Sequence, residues 1–249
     1  VEACRAVDID RILIVVGYKK EVVIDAFADQ DDLVFVEQKE QKGTGDAVAV
    51  CRDQLNDHDT VLVLAGDGPL VRPEILKLLI DKHTEGKAAG TLATARLENP
   101  TGYGRIVRDE YGNLKGIVEE SDCTDEQKRI NEINPSYYCF NREAVFDALD
   151  DIKPDNVKGE YYLTDAVKLL VEAGRRVVAI TAVEPEDVLS INSRQQLAAV
   201  SRVMEQRIQD KLMSSGVTII DPDNTWIDAR AEIGQDTIIY PFTYIHGRV

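Results

Sequence analysis

The chain has 249 residues, 44% hydrophobic and 30% charged, enough for one full globular core and a small addition. With 29 Lys and Arg against 45 Asp and Glu its net charge is −16, which argues against nucleic acid and membrane surfaces as partners but leaves room for a small phosphate ligand. Cys4, Cys51, Cys123 and Cys139 lack C-x-x-C spacing and read as reduced thiols of a cytoplasmic protein. His58, His83 and His246 fall in polar contexts without a partner pattern, and no apolar run approaches the ~18 residues of a membrane span.

In chain order, Val1–Val7 reads as the middle of a helix, so the chain is expected to begin inside a fold. Arg11–Gly17 is a buried strand, Glu21–Ala28 a short helix and Leu33–Glu37 a second strand. A polar segment, Glu37 to Gly45, ends in Gly43-Thr44-Gly45 and opens a helix through Ala47–Leu55. Glycines before a helix let backbone N–H groups meet an anion or a base edge, although the G-K-[ST] ending of a Walker loop is absent.

The run Val61-Leu62-Val63-Leu64-Ala65 does not alternate, the habit of a strand buried on both faces of a parallel sheet. It breaks at Gly66-Asp67-Gly68-Pro69, where the glycines permit unusual backbone angles and Pro69 begins a turn. Asp67 is thereby placed at the carboxyl end of a strand, where open α/β sheets bind ligands. An Asp there suits Mg²⁺, which takes few protein ligands and several phosphate oxygens; a solvated turn is the bland reading.

Pro73–His83 is a helix with Pro in its first turn, and Gly90–Leu97 a strand. This alternation predicts an α/β fold, a doubly wound and mostly parallel sheet. Tyr103–Val107 and Leu114–Glu119 flank a turn-rich spacer and form a hairpin. Ile133–Phe140 is a strand and Arg142–Leu149 a helix, and Thr164 caps a helix through Ala173. Residues 101–163 are expected to lie as an insertion over the strand ends, and Val177–Val183 is a further strand. Ser193 and Gln196 fit a capping box for a long helix. Its stripe is Leu197, Val200, Val203, Met204, Ile208 and Leu212, and Gly216 ends it. Helix-start chemistry alone accounts for Asn192. Ile227, Ile233, Ile239 and Ile245 recur every six residues, the period of a parallel β-helix that stops after its first coils. The domains read as 1–191, a linker helix 192–216, and 217–249.

Seven segments carry a resemblance spanning the chain. They are Gln41–Gly45, Gly66–Leu70, Thr101–Ile106, Ile117–Glu120, Glu132–Asn134, Gly159–Asp165 and Asn192–Arg194. Together they resemble the uridyltransferase half of the bacterial bifunctional N-acetylglucosamine-1-phosphate uridyltransferase/glucosamine-1-phosphate acetyltransferases. The resemblance implies a nucleotidyltransferase domain followed by a left-handed β-helix. It also implies UTP and N-acetylglucosamine-1-phosphate as substrates, Mg²⁺ as cofactor, cell-wall precursor synthesis, and a homotrimer formed through the β-helix. Gln38, Gly43 and Thr44 fall where that family holds uracil, and Gly66 where it lines the nucleotide. Asp67 and Asn192 fall on its Mg²⁺ ligands, and Gly104, Glu119 and Asn134 where it grips the sugar.

The family's opening Leu-Ala-Ala-Gly-x-Gly-Thr-Arg-Met and its later Pro-Lys do not occur here, and Asp46 stands where relatives often have His. The chain alone is therefore expected to be nearly inactive. Another sugar-1-phosphate nucleotidylyltransferase, or a non-catalytic scaffold of the same fold, stay open as alternatives.

Overall fold

The computed structural model describes residues 1–247. The chain forms two compact units: Val1–Gly66 with Val71–Val188, and Asp67–Leu70 with the segment from Leu189 onward.

In the first unit the elements are α1 (Glu2–Arg5), β1 (Ile12–Val16), α2 (Lys20–Ala26), β2 (Leu33–Glu37) and α3 (Thr44–Ala49). They continue as β3 (Thr60–Leu64), α4 (Pro73–Gly86), β4 (Gly90–Arg96), β5 (Gly104–Arg108) and β6 (Leu114–Val118). The remainder are β7 (Glu132–Asn141), α5 (Arg142–Asp151), α6 (Leu163–Glu172) and β8 (Val177–Thr181). β1 and β2 form a parallel pair of their own. The other six strands make one sheet, ordered β6-β5-β7-β4-β8, with β3 also on β7.

The sheet is mixed. β4 and β8 pair in parallel, while β7 is antiparallel to β3, β4 and β5, and β5 and β6 form the expected antiparallel hairpin. This corrects the mostly parallel reading, because apolar runs report burial and not strand direction. It also corrects the insertion: β5, β6 and β7 belong to the main sheet.

β7 serves two neighbours on one side because it is kinked. Its last residues pair with β3, Leu64↔Tyr137 to Thr60↔Asn141, and its first with β5, Gly104↔Asn134 and Arg105↔Ile133. On the other side the register with β4 jumps from Ala93↔Tyr137 to Ala95↔Ile133. Pro135, which has no N–H to give a ladder, and Ser136, at φ +64°, occupy the break.

Side chains alternate across this sheet with period two. Leu92, Tyr138 and Phe140 join Ile106, Ile117, Val145, Phe146, Ala166 and Val167 in one core with α5 and α6. Ala93, Ala95, Ile133, Tyr137 and Cys139 join Leu79 of α4 in the other. Helices thus cover both faces of β4 and β7, and both strands are buried over most of their length, polar residues included.

The run at 61–64 departs from expectation: only Val61 is buried and its successors are half-buried. In β1, likewise, only Val16 is buried. Gly66 and Gly68 do not have positive φ, and a Cβ on either would meet nothing within 4 Å, so neither turn requires glycine there.

In the second unit, α7 (Arg194–Ser214) precedes four two-residue strands, β9 (Thr218–Ile219), β10 (Trp226–Ile227), β11 (Ile238–Ile239) and β12 (Tyr244–Ile245). They pair in parallel as β9 with β11 and β10 with β12. Val217, Ile219, Ile227 and Ile239 are buried together, with Ile208 and Leu212 of α7 packed against them. Leu197, at the head of the predicted stripe, is instead 45% exposed. Gln209 is buried on α7, and its Nε2 donates to the carbonyls of Pro222 (2.9 Å) and Thr225 (2.7 Å). Gly216 ends the helix at φ +95°, as predicted. Among the described residues, no helix is long and apolar enough to cross a membrane.

Candidate functional site

Gln38 follows β2 and is buried. Its Nε2 donates to the Gly43 carbonyl (3.1 Å) and to Asp46 Oδ2 (2.7 Å). Both amide hydrogens are engaged, which leaves Oε1 as the acceptor. Gly43 sits at φ +119°, and a Cβ on it would lie 2.5 Å from the Tyr161 carbonyl oxygen. Here glycine is required, because the backbone passes directly against another backbone. The contact is stitched by Tyr161 N donating to the Lys42 carbonyl and Gly45 N to the Tyr161 carbonyl, each 2.7 Å. Thr44 Oγ1 accepts from Leu163 N at 3.0 Å, so it caps α6 from another part of the chain. This replaces the predicted cap: α6 begins at Leu163, and Thr164 lies inside it.

The Thr164 hydroxyl turns instead to Glu119 and donates to its Oε1 at 3.0 Å. Burial pushes the Glu119 carboxyl above the usual Glu range, and the Thr164 bond works against that rise. Gly104 lies opposite Asn134 in the β5–β7 register, and a Cβ on Gly104 would be 3.6 Å from Glu119 Oε2. Asn134 is buried and donates from Nδ2 to the Tyr138 hydroxyl (2.5 Å), while its Oδ1 accepts from Ser136 N (3.1 Å). Gly104, Glu119 and Asn134 are therefore brought together.

Tyr138 and Thr164 stand behind them, and sequence reasoning missed both. Tyr138 is four residues from Asn134, a separation that an unbroken strand would stretch apart; the kink at Pro135–Ser136 closes it. Burial raises the Tyr138 hydroxyl, the nearby Glu119 charge adding to the effect, so it stays protonated. For Thr164 the Leu-Thr-Asp sequence suggested a cap and hid the bond to Glu119.

In the second unit, Ile191 N donates to the Asp67 carbonyl at 2.9 Å, which sets Asn192 one residue from Asp67's backbone partner. Asp67 is exposed, and its carboxylate has no hydrogen bond or ion pair among the described residues. Asn192 is exposed too, and its Nδ2 donates to Ser190 Oγ at 3.2 Å. Its Oδ1 accepts no hydrogen bond among the described residues, so Asn192 and Asp67 each offer a hard oxygen donor of the kind magnesium takes alongside phosphate and water. Among the described residues there is no cluster of three His, Cys, Asp or Glu able to hold a metal by themselves. The capping box is shifted: Ser193 Oγ accepts from Gln196 N (3.2 Å), but Gln196 Oε1 accepts from the N–H of Asn192 (2.8 Å). Gly66, exposed, immediately precedes Asp67 in the chain.

The chain is 42% identical over 236 residues to the bifunctional protein GlmU of Clostridioides difficile, covering 95% of this chain and 51% of the relative. It is 44% identical to that of Geotalea daltonii, covering 95% and 52%. To that of Listeria innocua it is 41% identical, covering 100% and 54%. The chain thus spans about half the length of the curated relatives it matches. Among solved structures, UDP-glucose pyrophosphorylase complexed with UDP-glucose superposes with a TM-score of 0.62 at 17% identity, covering 83% of this chain and 85% of that one. Apo UDP-glucose pyrophosphorylase gives 0.60 at 18%. These likenesses bear on the fold, which is a nucleotidyltransferase-like α/β fold. The profile of the nucleotidyl transferases matches residues 1–226, through the loops that carry Gln38, Asp67, Glu119 and Asn192, and the chain belongs to that family.

Proposed function

We propose that the intact protein transfers a uridylyl group from UTP to N-acetylglucosamine-1-phosphate, giving UDP-N-acetylglucosamine and pyrophosphate, with this chain supplying base, sugar and metal contacts. A phosphate oxygen of the sugar phosphate attacks the α-phosphorus of UTP. A new P–O bond forms, the bond from the α-phosphorus to the bridging oxygen breaks, and pyrophosphate carries away the electron pair. No covalent enzyme intermediate is involved.

Gln38 supplies base selection. With both its N–H groups committed, Oε1 accepts from the imide N–H of uracil and offers nothing to cytosine, whose corresponding nitrogen is an acceptor. Gly104, Glu119 and Asn134 hold the sugar, the lack of a Cβ on Gly104 giving it backbone-close approach. Asp67 and Asn192 hold Mg²⁺, which when bound neutralises charge on the phosphates. The convergence of Gly104, Glu119 and Asn134 is the observation that carries this reading.

Residues 217–247 form the start of a left-handed β-helix in this proposal, after a linker helix at 192–216 and a transferase domain at 1–191. The supporting observation is the spacing of its parallel partners, Thr218 with Ile238 and Trp226 with Tyr244, roughly three six-residue steps apart. The longer relatives' second activity, acetylation of glucosamine-1-phosphate, and a homotrimer built on that helix belong to the same proposal, as do a cytoplasmic setting and a role in cell-wall precursor synthesis. The four free cysteines support the cytoplasmic setting.

The test is pyrophosphate release by the intact protein with UTP, Mg²⁺ and the sugar phosphate. Asp67→Ala should lose about a hundredfold or more in turnover, the scale of removing one electrostatic stabiliser. Normal turnover in that variant would refute the metal role, and a panel of nucleoside triphosphates checks the choice of base.

A further inference from the structure

Arg105 is 1% exposed, a guanidinium enclosed in the sheet. In β5 it follows Gly104 and lies opposite Ile133 in β7 and Val118 in β6. An apolar side chain there would extend the core without the cost of desolvating a charge. Its hydrogen bonding is incomplete as well, because Nε has no acceptor among the described residues. A buried donor left without an acceptor calls for an explanation beyond packing.

Its two contacts are informative. Nη1 donates to the carbonyl of Tyr103, the residue before Gly104. Nη2 lies 2.6 Å from Oε2 of Glu120, the residue after Glu119. We infer that Arg105 is a positioning residue for the sugar grip, its planar fork fixing the Tyr103 carbonyl on one side and the Glu120 carboxylate on the other. It touches neither Gly104 nor Glu119 through their own functional atoms. It holds the residue next to each, the Tyr103 carbonyl before one strand and the Glu120 side chain after the other, so the spacing in which a Cβ on Gly104 would lie 3.6 Å from Glu119 Oε2 is set from behind. The planar, pre-organised fork is what a Lys cannot reproduce.

This inference rests on the sugar role proposed for Glu119, and the experiment separates the two. Calorimetry gives the dissociation constants of UDP-N-acetylglucosamine and of UDP for the intact protein, and their ratio isolates the sugar's share. Thermal melting follows the fold. Arg105→Met alone strands the Glu120 charge and should lower the melting temperature. Arg105→Met with Glu120→Leu removes both charges and should restore most of it. In that double variant the ratio should fall about tenfold, toward that of Glu119→Ala, with UDP affinity unchanged.

Arg105→Lys, which keeps the charge but cannot span both contacts, should show the same loss in milder form and serves if the double variant does not fold. A wild-type ratio in the folded double variant, or in Arg105→Lys, overturns the positioning role. A wild-type ratio in Glu119→Ala overturns the sugar reading itself.

Discussion

Glu119 carries opposed influences, of which burial and one hydrogen bond are the largest. Burial disfavours its charge, and the Thr164 hydroxyl favours it. Because its folded-state pKa is raised, the carboxylate protonates at a higher pH than a free Glu, and keeping it charged at neutral pH costs the fold some stability that is regained in acid. Sugar-dependent affinity should therefore fall as pH drops through that raised value. Thr164→Val removes the one bond that opposes the rise. Its sugar-dependent affinity should begin to fall at a higher pH than in the wild type, and at neutral pH should be about tenfold weaker. Titrating UDP-N-acetylglucosamine binding against pH in both proteins checks the order of the two midpoints. At Gly43 the prediction is steric: alanine would combine a positive φ with a clash against the Tyr161 carbonyl, costing on the order of 1–3 kcal/mol or more by thermal melting.

At the level of elements, the strongest polar tie is between strands. Glu132 at the start of β7 accepts from Arg108 of β5 at 2.8 and 2.7 Å, and from the Thr94 hydroxyl of β4 at 2.7 Å. Burial would raise this carboxyl, but the Arg108 and Thr94 bonds outweigh it and hold the pKa below the usual Glu range. A depressed folded pKa contributes stability above the unfolded value of about 4.3, and that stability is lost as pH falls through the folded value. Arg108→Met leaves the carboxylate buried against its hydroxyls alone. It should destabilise by roughly 2–4 kcal/mol at pH 7, and clearly less in acid, because Glu132 without Arg108 protonates at a higher pH than the paired carboxylate and so sheds its buried charge, as measured by urea unfolding at the two pH values. In the second unit, Gln209→Leu deprives two carbonyls of their donor and should lower amide-exchange protection at Thr225–Ile227. The head of α6 has a third kind of role. Leu163 is capped by Thr44 and Thr164 grips Glu119, so the proposed base and sugar contacts share one turn of helix.

For the whole molecule, strand positions and punctuation were legible in the sequence, but direction, partnership and the burial of β1 and β3 were not. The strand at Val61 follows from an uninterrupted apolar run, those around Leu92 and Tyr138 from strand-like segments, and the β5–β6 hairpin from its turn residues. Nothing in the period of Ile133–Phe140 says that it runs against β3, β4 and β5, since a side chain alternates in the same way in either direction. Gly43 was legible as a loop glycine, yet the reason for it, the Tyr161 carbonyl, lies more than a hundred residues away. The site residues came from motif order, and their supports escaped: Thr164 and Arg105 because each acts across elements, and Tyr138 because it meets Asn134 only through the kink within β7. The grouping of Asp67–Leu70 with the chain from Leu189 onward also has no local signature. The denaturant dependence of amide exchange should therefore match between Gly68 and Ile191, and differ from that of Val61–Leu64.

The bend in β7 sets a phase for everything downstream of it. Asn134 lies ahead of the bend, while Tyr137, Tyr138, Cys139 and Phe140 lie beyond it and point alternately to opposite cores. One residue inserted at Pro135–Ser136 would exchange the two sets, turning Phe140 and Tyr138 toward α4 and taking the phenol from Asn134 while leaving the sequence of every strand intact. Length at this point is therefore more tightly constrained than composition.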